Sequence, residues 1–486
     1  MTSKYLKVYH SQWGIYARKF WPDEIPDSLG VIYSFWDIGT DFKITTRDKW
    51  GDEEAAKSGW GTKTTQFDMM RIKTGKGIAT ELSIGGWTFS NGFSDACLTE
   101  TSRAIFVKSI IDTFKKYPGV FKGCSLDWEY PSDKGDSIGY GNNITRVGDG
   151  DRLILTCKLL REQLNANGMS DFPISGFISA DPNKLEGHLK VKELSVWMDE
   201  LHVQGYDFAD GNWGETTASH QCNLYPKPGI TKFSCHESIQ YFLSKGVPAN
   251  KVHIGVAAYS RGHGNTDGFG KTSSGGANKW SSWEEGILDY RHIVEGGTGG
   301  FGNIPKFPTE PIWDDDMKAH YWYDPISRQL VSCDTPRSIQ EKTIYAKQYG
   351  LGGVFIWESS GDIRNHNDPK SIMKAVKDAW DGSYSPPPII VPPSPPPVVV
   401  PPPSPPPVVI PPSPPPVVVP PPSPPPVVIP PSPPPVVIPP SPPPVVIPPS
   451  PPPVVIPPSP PLSNNSDYWK FLLLGLLVGA GISKLS

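Results

Sequence analysis

The sequence predicts an α/β fold: a (β/α)8 TIM barrel with a small α+β insertion between strands 7 and 8. Three observations point there. Eight short strand-like segments are spread over residues 1–385, helix-period segments lie between several of them, and no glycine-rich phosphate loop follows the first. An open doubly wound sheet reads similarly, and the missing loop argues against it.

The strand candidates, in order, are Leu6–Tyr9, Gly30–Phe35, Ile78–Ser83, Gly123–Glu129, Ile174–Ser179, Glu200–Tyr206, Val252–Ala258 and Gly353–Trp357. Eight parallel strands are the number that closes a barrel. Helical patterns over Thr101–Tyr117, Asp151–Asn167 and Ser338–Tyr349 supply the intervening crossovers. Between the seventh and eighth candidates lies far more chain than one crossover needs. Residues 261–336 are rich in Gly, Trp, Tyr and Asp, with strand-like pieces at His320–Tyr323 and Gln329–Ser332, and they read as the insertion.

Proline divides the chain. Of its 59 prolines, 44 fall between Pro386 and Pro461, in a tandem repeat of the form P-P-S-P-P-P-V-V-I. Proline at this density removes backbone donors and favours the polyproline II helix, so 386–466 reads as a disordered or polyproline stalk. Fully extended, it would reach on the order of 230 Å at ~3.1 Å per residue. The repeats also fit polyproline ligand grooves, but no Arg or Lys flanks them as a signalling ligand would require. Residues 467–486 form a C-terminal apolar helix candidate. Its strictly apolar run, Phe471–Ile482, is short for a membrane span, whereas 468–485 as a helix would cover ~27 Å, with Tyr468 and Trp469 at one interface and two lysines snorkelling. The reading is a membrane anchor, and the alternative is an apolar tail packed on a partner. The N-terminus lacks the apolar segment of a secretory signal, so the expectation is a catalytic unit held on a stalk from a C-terminal anchor.

Charge and cysteine narrow the function further. A net charge of −4 and a pI near 6.2 leave no basic excess for phosphates, so no nucleic-acid partner is expected. None of the six cysteines is paired as C-x-x-C, so neither a structural metal nor a thiol-exchange site is indicated, and no cofactor is expected. Cys222 and Cys235 flank a loop that a disulfide could close, and two free buried thiols fit equally.

The chemistry is concentrated in the fourth segment, Phe121-Lys-Gly-Cys-Ser125-Leu-Asp127-Trp-Glu129-Tyr-Pro131. A period of two sends Ser125, Asp127 and Glu129 to the lumen and Cys124, Leu126 and Trp128 to the helices. Glu129, at the C-terminal end where barrel enzymes keep their sites, is the most accessible. Neighbouring carboxyls resist joint ionisation, which suits one of them to act as a general acid. A salt-bridged strand end is the plainer alternative.

The segment resembles the strand-four signature D-G-x-D-x-D-x-E of family-18 glycoside hydrolases, the chitinase family. Four further motifs follow the family order: Ser83-Ile-Gly85-Gly86-Trp87, Gln204-Gly-Tyr206-Asp207, Ala258-Tyr259-Ser-Arg261-Gly262, and Gly352-Gly-Val-Phe-Ile-Trp357 with Asp362. The resemblance spans about 1–380. It implies hydrolysis of β-1,4 links between N-acetylglucosamine units in chitin or its oligomers, with the substrate's acetamido oxygen replacing a protein nucleophile. Glu129 would protonate the glycosidic oxygen, Asp127 would polarise the acetamido N–H, Tyr206 would bind its carbonyl and Asp207 would line the site. Trp357 would floor the reacting sugar, and Trp87 and Trp213 would stack on neighbouring units. Tyr259, Arg261 and Ser125 complete the expected substrate-binding set.

Two positions depart from the pattern: Lys122 stands for the first Asp and Ser125 for the middle one. A serine cannot share a proton as a carboxylate does, so Asp127 is expected to lack a titrating neighbour behind it. An endo-β-N-acetylglucosaminidase, or a non-catalytic chitin- or wall-binding surface protein, are the alternative functions.

Overall fold

The computed structural model describes residues 2–57, 64–136, 139 and 143–382. The expected stalk (386–466) and tail (467–486) lie outside the described residues. Among those described, no helix is long and apolar enough to cross a membrane.

Eight parallel strands close on themselves: β1 (Leu6–Ser11), β2 (Gly30–Ile38), β3 (Thr80–Gly85), β4 (Cys124–Asp127), β5 (Ile174–Ile178), β6 (Glu200–Val203), β7 (Val252–Ala257) and β8 (Gly353–Trp357). Each pairs with its neighbours in chain order, and β8 returns to β1 with Val8 opposite Ile356. All eight strand candidates are present. β4 is shorter than expected because Ser90 takes over its ladder: the Ser90 hydroxyl donates to the Asp127 carbonyl at 3.1 Å and accepts the Glu129 N–H at 2.9 Å. The chain thereby turns out of the sheet just where its last carboxylate must face the mouth.

The crossovers are α1 (Gln66–Gly75), α2 (Glu100–Lys116), α3 (Asp149–Ala166), α4 (Val191–Trp197), α5 (Cys235–Ser244) and α6 (Pro336–Gln348), with α7 (Ile372–Asp381) after β8. Side-chain caps set several starts. Thr99 accepts the Ser102 N–H at 3.0 Å before α2, and Thr335 does the same for Ser338 before α6, whose first position is a proline. Between β7 and β8 an antiparallel sheet runs in the order Arg261–His263, Gln329–Cys333, Ala319–Asp324, Ile312–Asp314, beside a short helix, Tyr290–Glu295.

Alternate strand residues do different work. Val8, Val31, Leu82, Leu126, Leu201, Ile254 and Val354 point outward and are buried with Ile110, Leu160, Leu194, Ile239 and Ile339 of the helices. Each such side chain contributes about 1.5–3 kcal/mol, and this annulus holds the barrel. The lumen is polar at one level, where Lys7 of β1 sits between Glu81 of β3 and Glu200 of β6, and Ser175 of β5 donates to Glu81 at 2.5 Å. Above it comes an aromatic layer that includes Tyr9, Tyr206, Phe355 and the half-buried Trp357. All six cysteines are free and buried, so the loop closed by a Cys222–Cys235 disulfide is not formed.

Candidate active site

Two glycines open the mouth above β3. Gly85 and Gly86 have φ of +102° and +80°, and a Cβ on Gly85 would stand 2.2 Å from the Asp127 carbonyl, one on Gly86 2.6 Å from the Phe35 ring. Their absence of side chains lets β3, β4 and Phe35 close up and leaves Trp87 on the rim, 48% exposed. Asn143 braces this corner, donating to the Glu129 carbonyl at 3.1 Å.

Asp127 and Glu129 are both buried at the end of β4. Trp128 between them points the other way and stacks on Phe93 with centroids 5.2 Å apart, the alternation expected from the sequence. Burial first, and the charge of Asp207 with it, pushes Glu129 up to about 7, while burial and the neighbouring Glu129 hold Asp127 well above the ordinary carboxylate range. The pair therefore retains a proton near neutrality. Asp127 Oδ1 is buried with no hydrogen-bond partner among the described residues.

On the opposite side Asp207, with φ of +62°, collects the strand-six and strand-seven motifs. Its Oδ1 accepts the Tyr259 hydroxyl at 2.5 Å and Arg261 Nε, and its Oδ2 accepts Gln204 Nε2 at 3.1 Å. Gln221 binds both backbones, accepting the Asp207 N–H at 2.9 Å and donating to the Tyr259 carbonyl at 2.9 Å. Arg261 also reaches Asp210 at 3.1 Å and lies 4.4 Å from the ring of Trp213, which is 51% exposed. Tyr206 packs edge-on against Tyr259 with centroids 5.9 Å apart. The floor is Trp357, stacked on Phe35 at 5.5 Å and meeting Tyr9 edge-on at 5.6 Å.

All ten expected site residues therefore lie at or just beneath one mouth, with Ser125 lowest and Trp87 and Trp213 on the rim. Several neighbours were not anticipated. Tyr130 reaches Gln204 at 3.4 Å with Lys184 lying 4.7 Å over its ring. Arg18 ties Asp289 of the insertion to Glu358 beside Trp357, at 3.0 and 3.1 Å. Behind Ser125 lies a chain of polar side chains: Tyr9 Oη lies 3.4 Å from Ser125 Oγ and 3.2 Å from His202 Nδ1, and His202 Nε2 lies 3.0 Å from Glu200. The signal available in the sequence was charge at alternate strand positions: Lys7, Glu81, Glu200 and His253 all break apolar strands.

Glu200, His202 and His253 bring potential metal ligands within 4.8 Å of one another. The ammonium of Lys7 already lies 2.5 Å from the Glu200 oxygen that His202 shares, so a second cation would face it directly. The grouping suits an internal ion pair better than a metal.

A proton-holding carboxyl at the mouth of a closed parallel barrel, above a tryptophan floor, is the equipment of a glycoside hydrolase. The chain matches the Glycosyl hydrolases family 18 over residues 6–362 and belongs to that family. It is 31% identical over 375 residues to Endochitinase 1 of Metarhizium robertsii, covering 73% of this chain and 81% of that protein. Chitinase A1 of Niallia circulans is 31% identical over 338 residues, covering 66% and 45%. Among solved structures, the catalytic domain of psychrophilic chitinase B from Arthrobacter TAD20 superposes with a TM-score of 0.67 at 24% identity, covering 80% of this chain and 98% of that one.

Proposed function

We propose that the chain hydrolyses β-1,4-N-acetylglucosamine linkages in chitin or chitooligosaccharides, with retention of configuration and the substrate's own acetamido group as nucleophile. The observation that carries this is Glu129, a buried carboxyl at the end of β4 that keeps its proton to about pH 7. Glu129 donates that proton to the glycosidic oxygen as the C1–O bond breaks. The acetamido oxygen closes on C1, and the β4 neighbour Asp127, whose Oδ1 is unpartnered, accepts from the acetamido N–H as positive charge builds. Tyr206 and Asp207 hold the acetamido from the other wall. Trp357 stacks beneath the distorted sugar, while Trp87, Trp213, Tyr259 and Arg261 shape the cleft beside it. Water then opens the cyclic intermediate, returning a proton to Glu129 and leaving a β-anomer. The names of the relatives, endochitinase and chitinase, support this substrate over N-glycans.

The test is release of chromophore from N-acetyl-chitooligosaccharide conjugates by the full chain. Glu129→Gln should lose at least about a thousandfold in kcat with chitin binding retained, and the first-formed anomer by proton NMR should be β. Activity surviving in Glu129→Gln, or an initial α product, would overturn the assignment.

For the remainder of the chain, the reading is display: residues 1–385 as the catalytic unit with its insertion at 261–336, a Pro-rich stalk over 386–466, and membrane insertion through 468–485. Its support is composition alone. Carbonate-resistant membrane association of the full chain, absent when it is truncated after Ser466, is the expected result, and equal extraction of the two would refute it.

A further inference from the structure

Three stretches of chain lie side by side at one edge of the mouth, with the end of β7 in the middle. On one side the Ala258 N–H donates to the Trp357 carbonyl at 2.7 Å. On the other, the Ala258 carbonyl accepts the Tyr290 N–H at 2.9 Å and the Ser260 N–H donates to the Leu288 carbonyl at 2.8 Å. Tyr259 is thereby paired with Asp289 of the insertion. Ile287 and Trp357 both pack against the aromatic layer that contains Tyr259. The floor, the Tyr259 wall and the insertion are neighbouring strips of one surface.

A fourth segment bridges the outer two strips. Arg18, between β1 and β2, donates from Nη1 to Asp289 Oδ1 and Oδ2 at 3.0 and 3.1 Å, to Glu358 Oε1 at 3.1 Å and to the Ser360 hydroxyl at 3.2 Å. Among the described residues, all the hydrogen bonds of its guanidinium leave through that one nitrogen. The Trp283 ring lies 5.1 Å from the guanidinium, and its Nε1 donates to Asp289 Oδ2 at 2.8 Å. Arg364, past β8, donates to the Arg18 carbonyl and to Glu24. Asp289 and Glu358 are both buried. Asp289 has a second cation in Arg291 at 3.4 Å, whereas among the described residues Arg18 is the one basic group paired with Glu358. Two buried carboxylates held this close repel each other, and the cation they share reverses that.

We infer that Arg18 is a positioning residue: it clamps the insertion to the end of β8 and so fixes the spacing between the Trp357 floor and the Tyr259–Asp207 wall, the two surfaces that enclose the reacting sugar. Without it, the carboxylates of Asp289 and Glu358 push the outer strips apart, with Tyr259 between them. Arg18 need touch no sugar to do this. A misplacement of about 1 Å in the groups that orient a substrate can cost on the order of a hundredfold in rate. The effect is felt at the reacting unit, whatever the length of the oligomer.

The inference rests on the hydrolytic reading above, and hydrolysis by the unmodified chain with its loss in Glu129→Gln is measured first, so failure of that reading is seen separately. Arg18→Met is then compared with the parent on chromophore conjugates of N-acetyl-chitobiose and N-acetyl-chitotetraose. Its kcat should fall about tenfold, in the same ratio on both. Arg18→Lys should return to within about threefold of the parent, because the bonds leave through a single nitrogen rather than a bidentate fork and an ammonium can replace it. Undiminished kcat in Arg18→Met, a loss confined to the longer conjugate, or Arg18→Lys no better than Arg18→Met would overturn the inference. The last two would mean that the guanidinium binds a sugar directly. Should Arg18→Met fail to fold, Arg18→Met combined with Glu358→Gln is read in its place, since it leaves no unpaired carboxylate beside the floor. The same loss is expected there, and a parental kcat refutes the clamp.

Discussion

Tyr259 and Asp207, 52 residues apart, meet through a 2.5 Å hydrogen bond that joins the exit of β6 to the entry of the insertion. Arg261, two residues on, binds the same carboxylate oxygen. The negative charge so anchored is one of the causes that raise Glu129.

Asp207→Asn should therefore lower the alkaline limb of kcat/KM. Removing the charge relieves Glu129, and the guanidinium of Arg261, left with Asp210 as its carboxylate partner, acts in the same direction. A downward shift of about half to one pH unit, with a kcat loss of roughly tenfold or more, is expected. A limb unchanged or raised in the pH profile of the purified variant would contradict this.

For the unmodified chain the acid must be protonated, so activity is held below the raised value of Glu129 and falls as pH climbs through about 7. Initial rates on a soluble oligomer between pH 5 and 9 check it. An alkaline limb beginning near pH 5 would mean that burial does not govern this carboxyl.

The same carboxyl has a cost in stability. Its folded value is raised above the ordinary 4.5, so the contribution is neutral below that pH and stability is lost as pH rises toward about 7. Glu129→Gln carries no charge at any pH, and it should be more stable than the parent by on the order of 2 kcal/mol at pH 8, with the difference vanishing near pH 4. Urea unfolding at the two pH values measures it, and a variant less stable at pH 8 would show that the carboxylate is held by favourable contacts.

Lys7→Met leaves Glu81 and Glu200 facing each other in the lumen without their shared cation. Breaking a buried ion pair on one side costs about 3–5 kcal/mol. Thermal unfolding of the variant should show a clear drop in Tm, and an unchanged Tm would indicate that water, not Lys7, neutralises the layer.

The strands were legible because each is a short apolar run bounded by turn residues, and the carboxylate pair because Asp127 and Glu129 alternate along the fourth segment. Local sequence could not show where β4 stops, since Ser90, 39 residues before Glu129, sets that end. Nor could it show what stands behind Ser125. Tyr9, His202 and Glu200 lie on β1 and β6, and only closure of the barrel makes them neighbours of β4. Tyr259 and Arg261 stood out as a motif, yet their common partner Asp207 is a long-range contact no spacing reveals.

The six cysteines have a consequence for where this barrel can be assembled. Each thiol is walled into the core and none is cross-linked, so burial keeps them from becoming reactive thiolates, with Cys97 pushed up to about 12 and Cys235 to about 11. No disulfide among the described residues has to form for this barrel to fold. The barrel should fold alike in a reducing cytosol and an oxidising lumen, and reductant should leave the activity of the chain untouched.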